Sequence, residues 1–135
     1  MMLPEKLVKT IYLGDRACKK IIFDIWNEEV RVEIDEISRV RSKSGNWEYY
    51  NEENIVDCQI VFTEIKTFFI ENNGFLPNDS INYLKVFNPD DGTIYEFLFS
   101  INSQDEMGDY HETFLKVKAK GMHLFDPKKP EEKIY

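Results

Sequence analysis

The sequence is poor in the residues that most often carry chemistry. Its 135 residues hold two cysteines, Cys18 and Cys58, and two histidines, His111 and His123. The cysteines stand too far apart for a C-x-x-C metal or redox pair. Both fall in apolar, strand-like stretches and read as reduced, buried thiols. A bridge between neighbouring strands is the alternative, which a reducing cytosol disfavours. The histidines are twelve positions apart with no cysteine nearby, so a zinc site would need two further ligands from distant carboxylates. Neither a metal nor another cofactor is expected.

Other absences narrow the reading further. There is no phosphate-binding glycine loop, no G-x-G-x-x-G and no H-E-x-x-H. No G-x-S-x-G elbow frames Ser42, Ser44, Ser80, Ser100 or Ser103, although a Ser-His-Asp arrangement is defined by geometry rather than by order. The segment Asn88–Thr93 lacks the alternating ligands and closing glutamate of a calcium loop, and reads as a turn. No apolar run approaches the ~20 residues of a membrane helix. The opening residues lack the apolar centre of a secretory signal. The expectation is a soluble, cytoplasmic protein, more readily a binder than an enzyme.

Positive charge is scarce where it matters. The net charge is −8, and residues 46–112 carry fourteen acidic side chains against Lys66 and Lys85 alone. Nucleic-acid binding depends on Lys and Arg neutralising phosphates, so nucleic acid is not an expected partner. An anionic membrane surface is disfavoured for the same reason. An acidic surface of this kind either steers a basic protein partner or simply keeps the chain soluble.

What the sequence does have is apolar alternation. Hydrophobic residues make up 42% and aromatics 14%, enough for a packed core. At 135 residues one domain is expected, residues 1–135, with 126–135 as a charged surface extension at the C-terminus. Val30, Val32 and Ile34 alternate with Arg31, Glu33 and Asp35, a clean strand signal. Before them, Ile21, Phe23 and Ile25 share one parity while Ile22 and Trp26 take the other, which suggests a central strand or one with a partly covered outer face. Together 18–41 form a predicted hairpin, with a bulge where the alternation slips at Glu36 and Ile37.

Residues 56–70 read as a strand on their β-branched and aromatic content, with a helix over 62–70 as the alternative. Residues 81–87, 94–101 and 112–125 read as further strands. Tyr95, Phe97, Phe99 and Ile101 form one face. Leu115, Val117 and Ala119 form another, until Gly121 breaks the phase and Met122 and Leu124 take over. A short helix fits within 3–12. The predicted fold is mainly β: an antiparallel β-sandwich or partly open barrel of six to eight strands, with at most one short helix.

Two surface constellations stand out. Trp47 and Tyr50 sit beside Glu52 and Glu53, aromatics next to acids as in many docking surfaces. Asp105, Glu106 and Asp109 fall with Glu112 in one polar loop, which otherwise reads as a solvated hairpin tip. These seven residues, Trp47, Tyr50, Glu52, Glu53, Asp105, Glu106 and Asp109, are the candidate partner-binding residues. A small-molecule site or enzyme pocket in the barrel mouth, lined by some of the many aromatics, is the alternative.

The stretch Leu13-Gly14-Asp15-Arg16-Ala17-Cys18-Lys19-Lys20-Ile21, the turn Trp26-Asn27-Glu28-Glu29-Val30 and the closing Ala119–Pro127 together carry a resemblance. The chain resembles a group of small uncharacterised bacterial all-β proteins, several of them described as immunity proteins of polymorphic-toxin systems. Where those proteins show His-Asp, this chain has Gly14-Asp15, so no role of that histidine carries over. The resemblance implies an all-β domain, no catalytic residues, and a function in binding a toxin or effector.

Overall fold

A computed structural model describes residues 2–39 and 54–135. It is mainly β, with two antiparallel sheets and one short helix. Helix α1 (Pro4–Lys9) starts at a proline, whose missing N–H costs nothing in a first turn. The strands follow as β1 (Ile11–Tyr12), β2 (Cys18–Asp24), β3 (Glu29–Ile34), β4 (Glu36–Arg39), β5 (Asn54–Val56), β6 (Gln59–Glu71), β7 (Ile81–Phe87), β8 (Tyr95–Gln104) and β9 (Tyr110–Phe125). The larger sheet runs in the order β2-β3-β6-β9-β8-β7, and the smaller in the order β1-β4-β5.

The larger sheet is curled but not closed. At one end its two outer strands meet through a single bridge, Ala17 to Ser80, where the Ile81 N–H donates to the Arg16 carbonyl at 3.2 Å. The predicted partly open barrel is this curled sheet. The concave face holds the core: Val30, Val32, Ile60, Phe62, Phe97, Phe99, Ile101, Leu115 and Val117 are all buried. The rings of Phe62 and Phe97 pack at 4.8 Å between centroids. Leu7 of α1 closes the core from one side, with α1 resting on β7 and β9.

The slip at Glu36 has a different cause from a bulge within one strand. The chain leaves the larger sheet after Ile34 and enters the smaller one at Glu36. Asp35 makes the step. Its backbone N–H donates to the Ala17 carbonyl, and its carboxylate accepts from the backbone N–H groups of Ala17 and Glu36. Those bonds satisfy the polar groups that a strand exchange exposes.

Residues 56–70 are not helical. From Gln59 they run as β6, paired with β3 and then along β9. The phase break at Gly121 is real: Ala119 and Met122 are both buried, three positions apart. A Cβ at Gly121 would lie 2.8 Å from Thr63 Oγ1, so the strands approach too closely there for any other residue without a shift. The expectation of a central strand over 18–26 is not met, because β2 is an outer strand. The strand ends at Asp24, and the apolar Ile25 and Trp26 fall in the turn after it, 83% and 93% accessible.

The C-terminal tail turns back, and Ile134 pairs with Leu124 along the edge of β9 that β8 leaves free. Cys18 and Cys58 are both buried and unpaired.

Candidate functional site

The β8–β9 hairpin carries the acidic loop read from the sequence, and one side chain organises it. The Asp105 carboxylate accepts hydrogen bonds from the backbone N–H groups of Met107 at 2.8 Å and Asp109 at 3.0 Å. The same carboxylate lies 2.8 Å from His111 Nε2. The hydrogen bond to His111, then those to the backbone, hold the Asp105 carboxyl below its ordinary pKa. The Asp105 N–H bonds back to the Asp109 carbonyl, and Gly108 supplies the positive φ of 84° that the turn requires. Asp105 is therefore committed to the turn, whereas Glu106 and Asp109 are exposed at its tip.

Apolar groups stand beside these acids. Met107 is 86% exposed and Tyr110 62%. The loop between β6 and β7 adds Phe75 and Leu76, also exposed. Phe75 stacks on His111 with 4.4 Å between ring centroids. Asn72 Nδ2 donates to Thr113 Oγ1 and to the Phe75 carbonyl, which fastens the loop to β9. The Phe75–His111 stack thus sets the β6–β7 connection, with its exposed Leu76, against the hairpin that carries Glu106, Met107, Asp109 and Tyr110.

Of the seven residues singled out from the sequence, Asp105, Glu106 and Asp109 lie together at this tip. Trp47, Tyr50, Glu52 and Glu53 lie outside the described residues. The contributions of Phe75, Leu76 and Met107 were missed by sequence reasoning. Their signal was only an apolar pair inside a turn-rich segment, and nothing local ties that segment to a hairpin thirty residues on.

Glu112 takes a separate part. It accepts from Ser100 Oγ, which also accepts from Asn82 Nδ2. Asn82 and Asn102 exchange side-chain amide hydrogen bonds across β7 and β8. This polar ladder braces the hairpin's root.

A cleft of about 360 Å³ lies elsewhere on the convex face, between Phe69, Phe87, Leu98, Lys116 and Lys118. Its lysines are already engaged, Lys118 with Glu96 at 3.3 Å and Lys116 with Glu71 at 3.9 Å. Among the described residues no cluster of three or more His, Cys, Asp or Glu side chains is arranged to hold a metal ion. No helix among them is long and apolar enough to cross a membrane.

A profile of a protein family of unknown function, DUF6258, matches residues 2–135. The chain belongs to the DUF6258 family. The DUF6258 description names no activity, ligand or partner. No curated protein and no solved structure matches this DUF6258 member.

Proposed function

We propose that this DUF6258 protein is a non-enzymatic binding protein that docks a basic protein partner with the tip of its β8–β9 hairpin. The observation that supports this most is the composition and fixing of that tip. Exposed Glu106 and Asp109 stand beside exposed Met107 and Tyr110, on a turn that the Asp105 carboxylate braces through three partners. Apolar side chains presented on a pre-formed turn lose little freedom on docking. Acids around them speed encounter with a basic surface and set its orientation. Between residues 71 and 112 the chain has nine carboxylates and one lysine, Lys85; Glu71 and Glu96 are paired with Lys116 and Lys118, and the remaining acids bias the field over this region towards negative.

In this reading the mechanism is occlusion. The tip covers a basic functional face of the partner, such as the nucleic-acid-binding face of a toxin or effector domain in a bacterial cytoplasm. That matches the resemblance to immunity-like proteins.

The test is a charge reversal. Glu106→Lys with Asp109→Lys is expected to weaken binding of the captured partner by at least a hundredfold while leaving the melting temperature within a few degrees, since both side chains are exposed. Unchanged affinity in the double variant would refute the tip as the docking site.

A further inference from the structure

The second half of β6 has an open edge. Strand β3 pairs only with Gln59–Phe62, and the last link on that side is the Ile65 N–H donating to the Glu28 carbonyl at 3.0 Å. From Thr67 to Glu71 the strand pairs with β9 on one side and with no strand on the other, among the described residues.

The sheet's remaining edges are each covered in part. The beginnings of β2 and β7 meet at the Ala17–Ser80 bridge. The edge of β9 beyond β8 takes Ile134. Among the described residues the Thr67–Glu71 edge has no such cover, and its sequence, Thr-Phe-Phe-Ile-Glu, strongly favours strand. An uncovered edge of this kind is a template for another strand.

Beside the edge lies a cleft of about 180 Å³ between the β2–β3 turn and β6. Its apolar wall is Phe23, Ile25 and Phe68, with the Phe23 and Phe68 rings 5.2 Å apart. Its rim carries Asp24, Glu28 and Glu29 against Lys66. An added strand would find backbone partners along the edge, an apolar socket for one of its alternate side chains, and carboxylates around that socket.

The geometry points to a β-strand acceptor: we propose that an extended segment of a protein partner, bearing a bulky apolar side chain flanked by Lys or Arg, adds to β6 at Thr67–Glu71. Two features select this occupant over a second copy of the chain. Glu29 is paired with Arg31 at 3.1 Å, which leaves Asp24 and Glu28 against Lys66 on the rim, a net negative charge that favours basic neighbours over a second copy of a chain whose own net charge is −8. In strand addition, main-chain hydrogen bonds supply affinity and pockets for alternate side chains supply specificity, and here the pocket and its rim specify apolar and basic neighbours. The inference stands apart from the hairpin-tip reading, because it uses different residues.

The test uses the fluorescently labelled peptide Lys-Val-Lys-Phe-Lys-Val-Lys with the full chain. Anisotropy is expected to show binding, and hydrogen exchange to show new protection at amides within 67–71. Ile25→Asn and Glu28→Lys, both on an exposed turn, should each weaken binding about tenfold or more. Glu106→Lys with Asp109→Lys should change it by no more than about twofold. The counterpart Glu-Val-Glu-Phe-Glu-Val-Glu should not bind.

Several results would overturn the proposal: no binding of the basic peptide at millimolar concentration, equal binding of the two peptides, or no added protection at 67–71. Loss of binding in the hairpin-tip variant alone would place the peptide at the tip instead. A dimer seen by sedimentation, with the 67–71 amides already protected without peptide, would assign the edge to a second copy.

Discussion

Phe75 lies on His111 with ring centroids 4.4 Å apart and planes 21° from parallel. This contact joins the β6–β7 connection to the β8–β9 hairpin, and through the His111–Asp105 bond it reaches the acidic turn. Stack and hydrogen bond act on one side chain, so His111→Ala removes both. The expected cost is about 1–2 kcal/mol of stability, with faster exchange at the amides of Met107 and Asp109. Partner affinity should fall about tenfold although no charge has been reversed. Affinity that survives alongside the faster exchange would separate docking from the order of the tip.

The pH dependence of folding should be dominated by a buried histidine elsewhere. His123 is buried in β9, its ring 5.8 Å from that of Tyr135. Burial, helped by the charge of Lys133, pushes its pKa down to about 4 from the ordinary 6.5. The unfolded chain therefore takes up a proton before the folded one does. Stability is fully present above pH 6.5 and is lost as the pH falls towards 4, by on the order of 3 kcal/mol. In His123→Gln the fall between pH 6.5 and 4 should flatten, measured as urea midpoint against pH. Asp105, held low by His111, adds an acid loss at lower pH, below the ordinary carboxylate range.

Both thiols should be silent in the folded protein. Burial pushes the Cys18 thiol up to about 11 and the Cys58 thiol up to about 12. The thiolate is the reactive form, so neither should react with a thiol-specific disulfide reagent at pH 8 within hours. Both should react at once in denaturant. Rapid labelling of one thiol in native buffer would contradict the packing around β2 or the β5–β6 connection.

The crossing of β9 with β6 at Gly121 has a simple test. Gly121→Ala puts a methyl group against Thr63 Oγ1 and is expected to destabilise by about 1–3 kcal/mol. Thr63→Ala in the same chain removes the obstructing oxygen and should recover at least half of that loss. An additive double variant would show that the methyl group meets something else.

Much of this fold was legible in the sequence because its strands have one buried face. Tyr95, Phe97, Phe99 and Ile101 alternate and are all buried. The phase change at Gly121 was readable because three buried residues precede it and Met122 and Leu124 follow it. Alternation failed where burial does not follow pairing. Ile22, Phe23, Ile25 and Trp26 looked like part of a two-faced strand, yet all four are exposed, the first two on an outer strand and the last two in the turn after it. Single-residue periodicity also cannot tell a bulge from a change of sheet, and Asp35 makes the latter. At the candidate site the acids were legible as a cluster. The division between Asp105, turned inward to its own backbone, and Glu106 and Asp109, left outward, depends on hydrogen bonds across the turn that no spacing rule encodes.

The hairpin tip as a docking surface for a basic protein is tested most directly by affinity capture with two baits in parallel. One is the native chain and the other carries Glu106→Lys and Asp109→Lys. The account predicts one basic protein held by the native chain at low salt, released as salt rises, cross-linked to residues 105–110, and absent from the variant. The same protein held equally by both baits, or cross-linked only outside that hairpin, would contradict it.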